Sequence, residues 1–226
     1  FSLDTADDAL HSNGDISISG GTYTIATGDD GIHADNAVTI TDCDLTIADS
    51  YEGIEGLSID ISGGTISVKA SDDGLNAAGG ADSSGFGGRG GDAFDVTEGA
   101  CITISGGTLT VDADGDGLDS NGDLRITGGV TYVAGPTSGA DSALDCNGEA
   151  EISGGTFAAT GTVGMASTFG DSSTQASMLI ALSPDSTPCT ITVLDADGTE
   201  LFSWDSTKNF SSVLFSSPEL EQGAAY

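Results

Sequence analysis

Basic residues are nearly absent from this sequence: four Lys and Arg stand against 36 Asp and Glu in 226 residues, a formal charge of −32. Lysines and arginines are what displace counterions from phosphate polymers and anionic headgroups, so so few of them exclude direct binding to nucleic acid or to an anionic membrane surface. Internal ion pairing cannot neutralise the excess, and small cations must do most of that work. Long apolar runs are missing as well. No stretch approaches the ~20 residues that a membrane-spanning helix needs, so insertion into a bilayer is not expected. Cys43, Cys101, Cys146 and Cys189 are far apart and show no Cys-x-x-Cys spacing, which removes the usual zinc and redox signatures and leaves free, mostly packed thiols. Aromatic residues make up only 6% of the chain, which leaves few rings for stacking on a ligand. A start in mid-pattern at Phe1 and a stop at Tyr226 on a strand-like edge read as a mature or trimmed chain.

Glycine and patterned apolar residues are plentiful. The 35 glycines and 37% hydrophobic content come in regular alternation, which excludes the disorder that acidity alone would suggest. When the Gly-Gly pairs at 20–21, 63–64, 106–107, 128–129 and 154–155 are set under one another, with Asp42-Cys43 in the same place once, apolar columns line up. One column is Ile18, Ile40, Ile61, Ile104, Ile126 and Ile152; a second is Ile16, Val38, Ile59, Ile102, Leu124 and Ala150. A third, after the Gly-Gly, is Ile25, Ile47, Val68, Val111, Val133 and Ala159. The fourth, after an acidic turn, is Leu10, Ile32, Ile54, Leu75, Phe94, Leu118 and Leu144. Period-two alternation in short strands, repeated every 21 to 25 residues between Gly, Asn and Asp turns, predicts an all-β chain wound into a parallel β-helix of about seven coils over 1–174. Residues 77–91, AAGGADSSGFGGRGG, break the period and read as a long glycine-rich loop. From about 175 onward the repeat gives way to antiparallel-looking strands with a hairpin turn at Asp197-Gly198, so 175–226 reads as a small C-terminal β cap.

The acidic turns repeat with the coils, as in GDDGIHADNAVTI at 28–40. Flanking the small turn residue are Asp7-Asp8, Asp29-Asp30, Glu52, Asp72-Asp73, Asp92, Asp116 and Asp141; in the next polar column stand His11, His33, Glu55, Asn76, Asp95, Asp119 and Asp145. Stacked carboxylates ~4.8 Å apart repel by roughly 3.5 kcal/mol per pair at an effective dielectric near 20, against about 0.9 in water. Turn preference explains one Asp-Gly per coil but not a second acid before it and a third after the apolar residue. Hard oxygen ligands without clustered cysteine or histidine point to several Ca²⁺ ions between successive coils, with the central glycine turning the backbone and offering a carbonyl. His11 and His33 share one column and with Asp8 or Asp30 offer a transition-metal set, against the plainer reading of drift within a polar column.

ASDDGLNAAGG, the glycine-rich excursion, ITISGGTLTVDADGDGLDSNGDLRITGG, the GPTSG and ALDCNG turns and the TQASMLIAL and SSPEL tail occur in that order over nearly the whole chain. Together they resemble the bacterial secreted carbohydrate-binding domain-containing proteins. The resemblance implies a right-handed, polysaccharide-lyase-like parallel β-helix, Ca²⁺ along the acidic edge, binding of acidic plant polysaccharide such as polygalacturonate or also cellulose, and an extracellular or cell-surface location. It also implies metal roles for Asp72, Asp73, Asp114, Asp116 and Asp119. The sequence departs from the pattern where Glu52 follows Tyr51 and where the last coil, GTVGMAS, has lost its acids, so the ion row is expected to break at the third coil and to be absent from the last.

A lyase acting on uronic acids uses an Arg or Lys base beside Ca²⁺, and only Lys69, Arg89, Arg125 and Lys208 are available. Binding without turnover fits more easily, because Ca²⁺ shared between protein and sugar carboxylates reverses the local sign. Tyr23 and Phe157 fall in an inward column; Tyr51, Phe86 and Trp204, with Arg89 and Arg125, are the candidates for touching carbohydrate. A monomer is expected. A calcium-assisted lyase and a calcium-stiffened surface stalk or adhesin are the alternatives.

Overall fold

A computed structural model describes residues 1–78 and 96–226. Within them every regular element is a β-strand, and parallel pairing stacks the strands into a three-faced β-solenoid. The first face follows the Gly-Gly turns. Its rungs are Ser2–Thr5, Thr22–Thr27, Asp44–Asp49, Thr65–Ala70, Thr108–Ala113, 130–134 and 156–160. The second face follows the acidic turns, with Leu10–Ser12, 32–34, 54–56, Leu75–Ala77, Leu118–Ser120 and Leu144–Cys146 in register. The third face precedes Gly-Gly, with Ile16–Ile18, 38–40, 58–61, Cys101–Ile104, 123–126 and 150–152.

The apolar columns are what close this coil. Ile25, Ile47, Val68, Val111, Val133 and Ala159 from the first face meet Ile32, Ile54, Leu75 and Leu118 from the second and Ile40, Ile61, Ile104, Ile126 and Ile152 from the third, all buried in one continuous core. Branched side chains stacked every ~4.8 Å fill a narrow prism without gaps, and each fully buried one contributes about 1.5–3 kcal/mol. Phe157 lies in the same core, edge-on to Phe169 at 5.2 Å, as its inward column predicts; Tyr23 packs against that core at the other end but is only half-buried, stacked on the exposed Phe1.

About six turns are formed, one fewer than the sequence spacing predicts. The reason is local: Leu75 pairs with Leu118, Asn76 with Asp119 and Ala77 with Ser120, so the second face passes from one to the other with no rung between. Asp92, Phe94 and Asp95, expected there as a rung, lie outside the described residues, as do Phe86 and Arg89 and most of the glycine-rich loop 77–91.

At the far end the last rung of the first face is covered by antiparallel strands. Phe210–Ser216 pairs with 157–161, and Ser177–Ser186 pairs with Phe210–Ser216 in turn. Thr190–Leu194 and Glu200–Asp205 form a separate two-stranded hairpin whose turn places Gly198 at φ 82°, as Asp-Gly predicts. A second small core of Ala158, Val193, Phe215 and Leu220, with Tyr132, Phe202 and Trp204 against it, joins hairpin to solenoid. Lys208 ties the two from the side, its Nζ donating to Ala113 O at 2.7 Å and pairing with Asp112 at 2.6 Å and Asp114 at 2.9 Å. All four cysteines are free: Cys43 is buried, Cys101 and Cys146 are half-buried, and Cys189 is exposed.

Candidate functional site

The corner between the first and second faces carries the acids, and backbone hydrogen bonds fix their register. Ala9 N donates to Asp30 O, Gly31 N to Glu52 O, Gly53 N to Asp73 O, Gly74 N to Asp116 O and Gly117 N to Ser142 O. One polar column is therefore Asp8, Asp30, Glu52, Asp73, Asp116 and Ser142. Beside it runs Asp7, Asp29, Tyr51, Asp72, Gly115 and Asp141, and beyond the apolar residue run His11, His33, Glu55, Asn76, Asp119 and Asp145. Asp141 thus holds the outer position. Ser142 takes the inner place expected to be acidic.

The corner glycines serve packing rather than dihedral freedom. None of Gly31, Gly53, Gly74 and Gly117 has positive φ; the glycines that do include the second of each Gly-Gly pair, such as Gly64 and Gly107. A Cβ on Gly53 would lie 2.2 Å from Val68 Cγ1 and 2.3 Å from Gly74 O, and one on Gly74 would lie 2.2 Å from Val111 Cγ1. The carbonyls Gly53 O, Gly74 O and Gly117 O each accept one ladder hydrogen bond, from Ile32, Ile54 and Leu75 N–H.

Inner-column carboxylates point along the stack and accept from the backbone of the next coil. Asp8 Oδ1 accepts from Asp30 N at 3.1 Å, Asp30 Oδ1 from Glu52 N at 3.1 Å and Asp73 Oδ1 from Asp116 N at 2.6 Å, and Asp116 Oδ1 accepts from Ser142 N. Glu52 is one carbon longer and accepts instead from Asn76 Nδ2 at 3.0 Å. Each acid therefore holds two coils in register with one oxygen and leaves the other beside its neighbours.

Carboxylate oxygens of the corner also come together. One carboxylate oxygen each from Asp73, Asp116 and Asp119 lies within 4.8 Å of the others, and so do Asp7, Asp8 and Asp29, the set Asp30, His33 and Glu55, and the set Asp8, His11 and His33. No Lys or Arg among the described residues pairs with Asp73, Asp116 or Asp119. Burial and then the charges of Asp119 and Asp116 push the Asp73 carboxyl up to about 8. Burial also pushes Asp116 and Asp119 up to about 7, with Asp145 adding to both and the Ser142 N–H opposing the rise at Asp116. Burial and then Glu55 and Asp30 push Glu52 up to about 10, and burial raises Asp30 despite its hydrogen bonds. Desolvated like charges leave two resolutions at neutral pH: protons or a shared cation.

Several expected residues stand apart from these groupings. Asp114 is exposed on the flank and turned to Lys208. Asp72 binds the Tyr51 hydroxyl, which holds that phenol well above its ordinary range. Asp145 Oδ1 accepts from Cys146 N and Asp141 sits at the outer position, so neither joins a grouping. Glu52 is absent from every grouping and Tyr51 stands beside it in place of an outer acid, although Glu55 of the same coil joins Asp30 and His33. Of the carbohydrate candidates, Tyr51 lies on the acidic edge, 38% exposed. Trp204 is half-buried against the cap core, 5.8 Å from the Tyr132 ring, and Arg125 lies on the third face, paired with Asp123 and donating to Cys101 Sγ at 3.2 Å. Sequence reasoning missed Asp35, whose Oδ1 faces His33 Nε2 at 3.7 Å, because it stands outside the repeating acid columns. Comparison with protein-family models, with curated proteins and with solved structures returned no match.

Proposed function

We propose that this chain is a calcium-dependent carbohydrate-binding module, working outside the cell or at its surface, for an acidic polysaccharide of the polygalacturonate type. The observation that carries the reading is the trio Asp73, Asp116 and Asp119: three half-buried carboxylates on two adjacent coils, converging to within 4.8 Å with no basic partner among the described residues. Hard oxygen donors in excess suit Ca²⁺, which tolerates irregular shells and keeps waters that a ligand can replace. A bound ion at that edge would give a chain of −32 a local positive site, and a sugar carboxylate could complete its shell. Tyr51 offers an exposed ring on the same edge, anchored through its hydroxyl by Asp72. Catalysis has less support, since Arg125 and Lys208 are both engaged with carboxylates that are not members of the trio.

The test is retention on insoluble polygalacturonate. With millimolar Ca²⁺ the protein is retained without formation of unsaturated sugar, chelator releases it, and Tyr51→Ala weakens retention. Equal retention in chelator, or none in calcium, overturns the reading, and growth of ultraviolet absorbance would move it to the lyase class.

A further inference from the structure

The two histidines make the N-terminal part of the acidic corner chemically different from the trio. His33 sits in the stack between His11, whose ring lies parallel at 4.9 Å, and Glu55 of the next coil. Its side chain is 1% exposed, and Asp30 and Glu55 beside it are 0% and 12% exposed. His33 Nδ1 lies 2.7 Å from Glu55 Oε2 and 3.3 Å from Asp30 Oδ2, so two carboxylate oxygens compete for one ring nitrogen. On the opposite edge His33 Nε2 is buried without a hydrogen-bond partner, and the nearest acid is Asp35 Oδ1 at 3.7 Å.

Neither neutral tautomer fits this environment. With the proton on Nδ1, the Nε2 lone pair is buried facing the Asp35 carboxylate. With the proton on Nε2, that N–H points at Asp35, and the Nδ1 lone pair faces Asp30 and Glu55, three acceptors converging on one point. A metal ion at that point satisfies every group: Nδ1, Asp30 and Glu55 become ligands, and Nε2–H turns to Asp35, the carboxylate–histidine–metal arrangement that orients ligating imidazoles. Doubly protonated His33 is the rival, since it would donate to Glu55 and Asp35 with no ion at all.

We propose that Asp30, His33 and Glu55 form a site for a divalent transition-metal ion of the zinc class, with Asp35 orienting His33. An imidazole nitrogen with two carboxylates favours zinc, cobalt or copper over calcium, whose ligands are oxygens. The Asp-x-x-His spacing recurs one coil earlier, with His11 Nδ1 2.7 Å from Asp8 Oδ2. There the next coil offers His33 instead of a carboxylate, and His11 is 40% exposed. This inference stands apart from the calcium and carbohydrate reading, because it uses a different grouping and a different ion.

Chelator-stripped protein is titrated with Co²⁺ and then Zn²⁺ in excess Ca²⁺, following visible cobalt absorption and the heat of zinc binding, alongside long-range ¹H–¹⁵N spectra of the imidazoles. The expected result is one cobalt ion per chain at the histidine site that calcium does not displace and zinc does, with the metal-bound His33 ring carrying its proton on Nε2 alone. Replacing buried His33 puts the fold at risk, so the deciding variant is Asp35→Asn, at a half-exposed position, which is expected to weaken zinc by about 10–100-fold. Failure of cobalt to bind in the excess of calcium overturns the proposal. So does an Asp35→Asn protein with unchanged zinc affinity, or a His33 ring that stays doubly protonated when zinc is added.

Discussion

Asp116 serves two opposing ends at once. Its Oδ1 accepts from Ser142 N and so ties two coils together, while its burial beside Asp119 and Asp145 makes the charge itself costly. Asparagine keeps the accepting oxygen and removes the charge. Asp116→Asn is therefore expected to raise the melting temperature of metal-free protein while weakening calcium binding by an order of magnitude or more; calorimetry and calcium titration of the pair check it, and a lower melting temperature with unchanged calcium affinity would mean that the carboxylate is purely structural. Asp73→Ala has the opposite expectation, because it also removes the acceptor for Asp116 N and costs about 1–3 kcal/mol in chemical denaturation. At this scale the acid columns were legible from spacing alone, since register follows the repeat. What was not legible was the hydrogen bond each acid makes to the next coil, which gives these residues a structural purpose independent of any ion. Asp35 was equally hidden, because its importance comes from His33 alone and not from a column.

The coil is the element, and its corner is where coils come closest. Gly74 has Val111 on one side and Gly117 O on the other, so an alanine there would place Cβ 2.2 Å and 2.6 Å from them. Backbone cannot yield as a flexible side chain does, so Gly74→Ala is expected to destabilise by about 1–3 kcal/mol or more in urea denaturation. An unchanged midpoint would show that the corner is looser than its contacts imply. Strand alternation and the Gly-Gly turns gave the faces and their register, because a solenoid converts each sequence period into one physical layer. The coil number came out one too high. Asp92-Ala93-Phe94-Asp95 has the composition of an acidic turn and lies outside the described residues, while Leu75 and Leu118 pair directly, a juxtaposition that no sequence spacing reveals. Trp204 shows the same limit beyond the repeat: no period there assigns a residue to inside or outside, and its half-buried ring packs against the small core between hairpin and solenoid.

For the molecule as a whole, the corner and the net charge act on stability in the same direction with pH. Asp73 is raised to about 8 and Asp116 and Asp119 to about 7, against roughly 4 for the unfolded chain. Between those limits the folded state binds more protons than the unfolded one, so stability present in full below about pH 4 is lost as pH rises through 7 to 8. General self-repulsion of −32 adds to the loss, but any salt screens that part. A cation held by the trio replaces the protons and removes the specific part. At a hundred times its dissociation constant, one such ion contributes about 2.7 kcal/mol, or roughly 5–10 °C for a chain of this size. Melting curves from pH 5 to 8.5 should therefore fall steeply in chelator and stay nearly level in calcium, with sodium chloride at matched ionic strength restoring only part of the difference. If sodium does as much as calcium, the acids are answering the field of the whole molecule and not a bound ion.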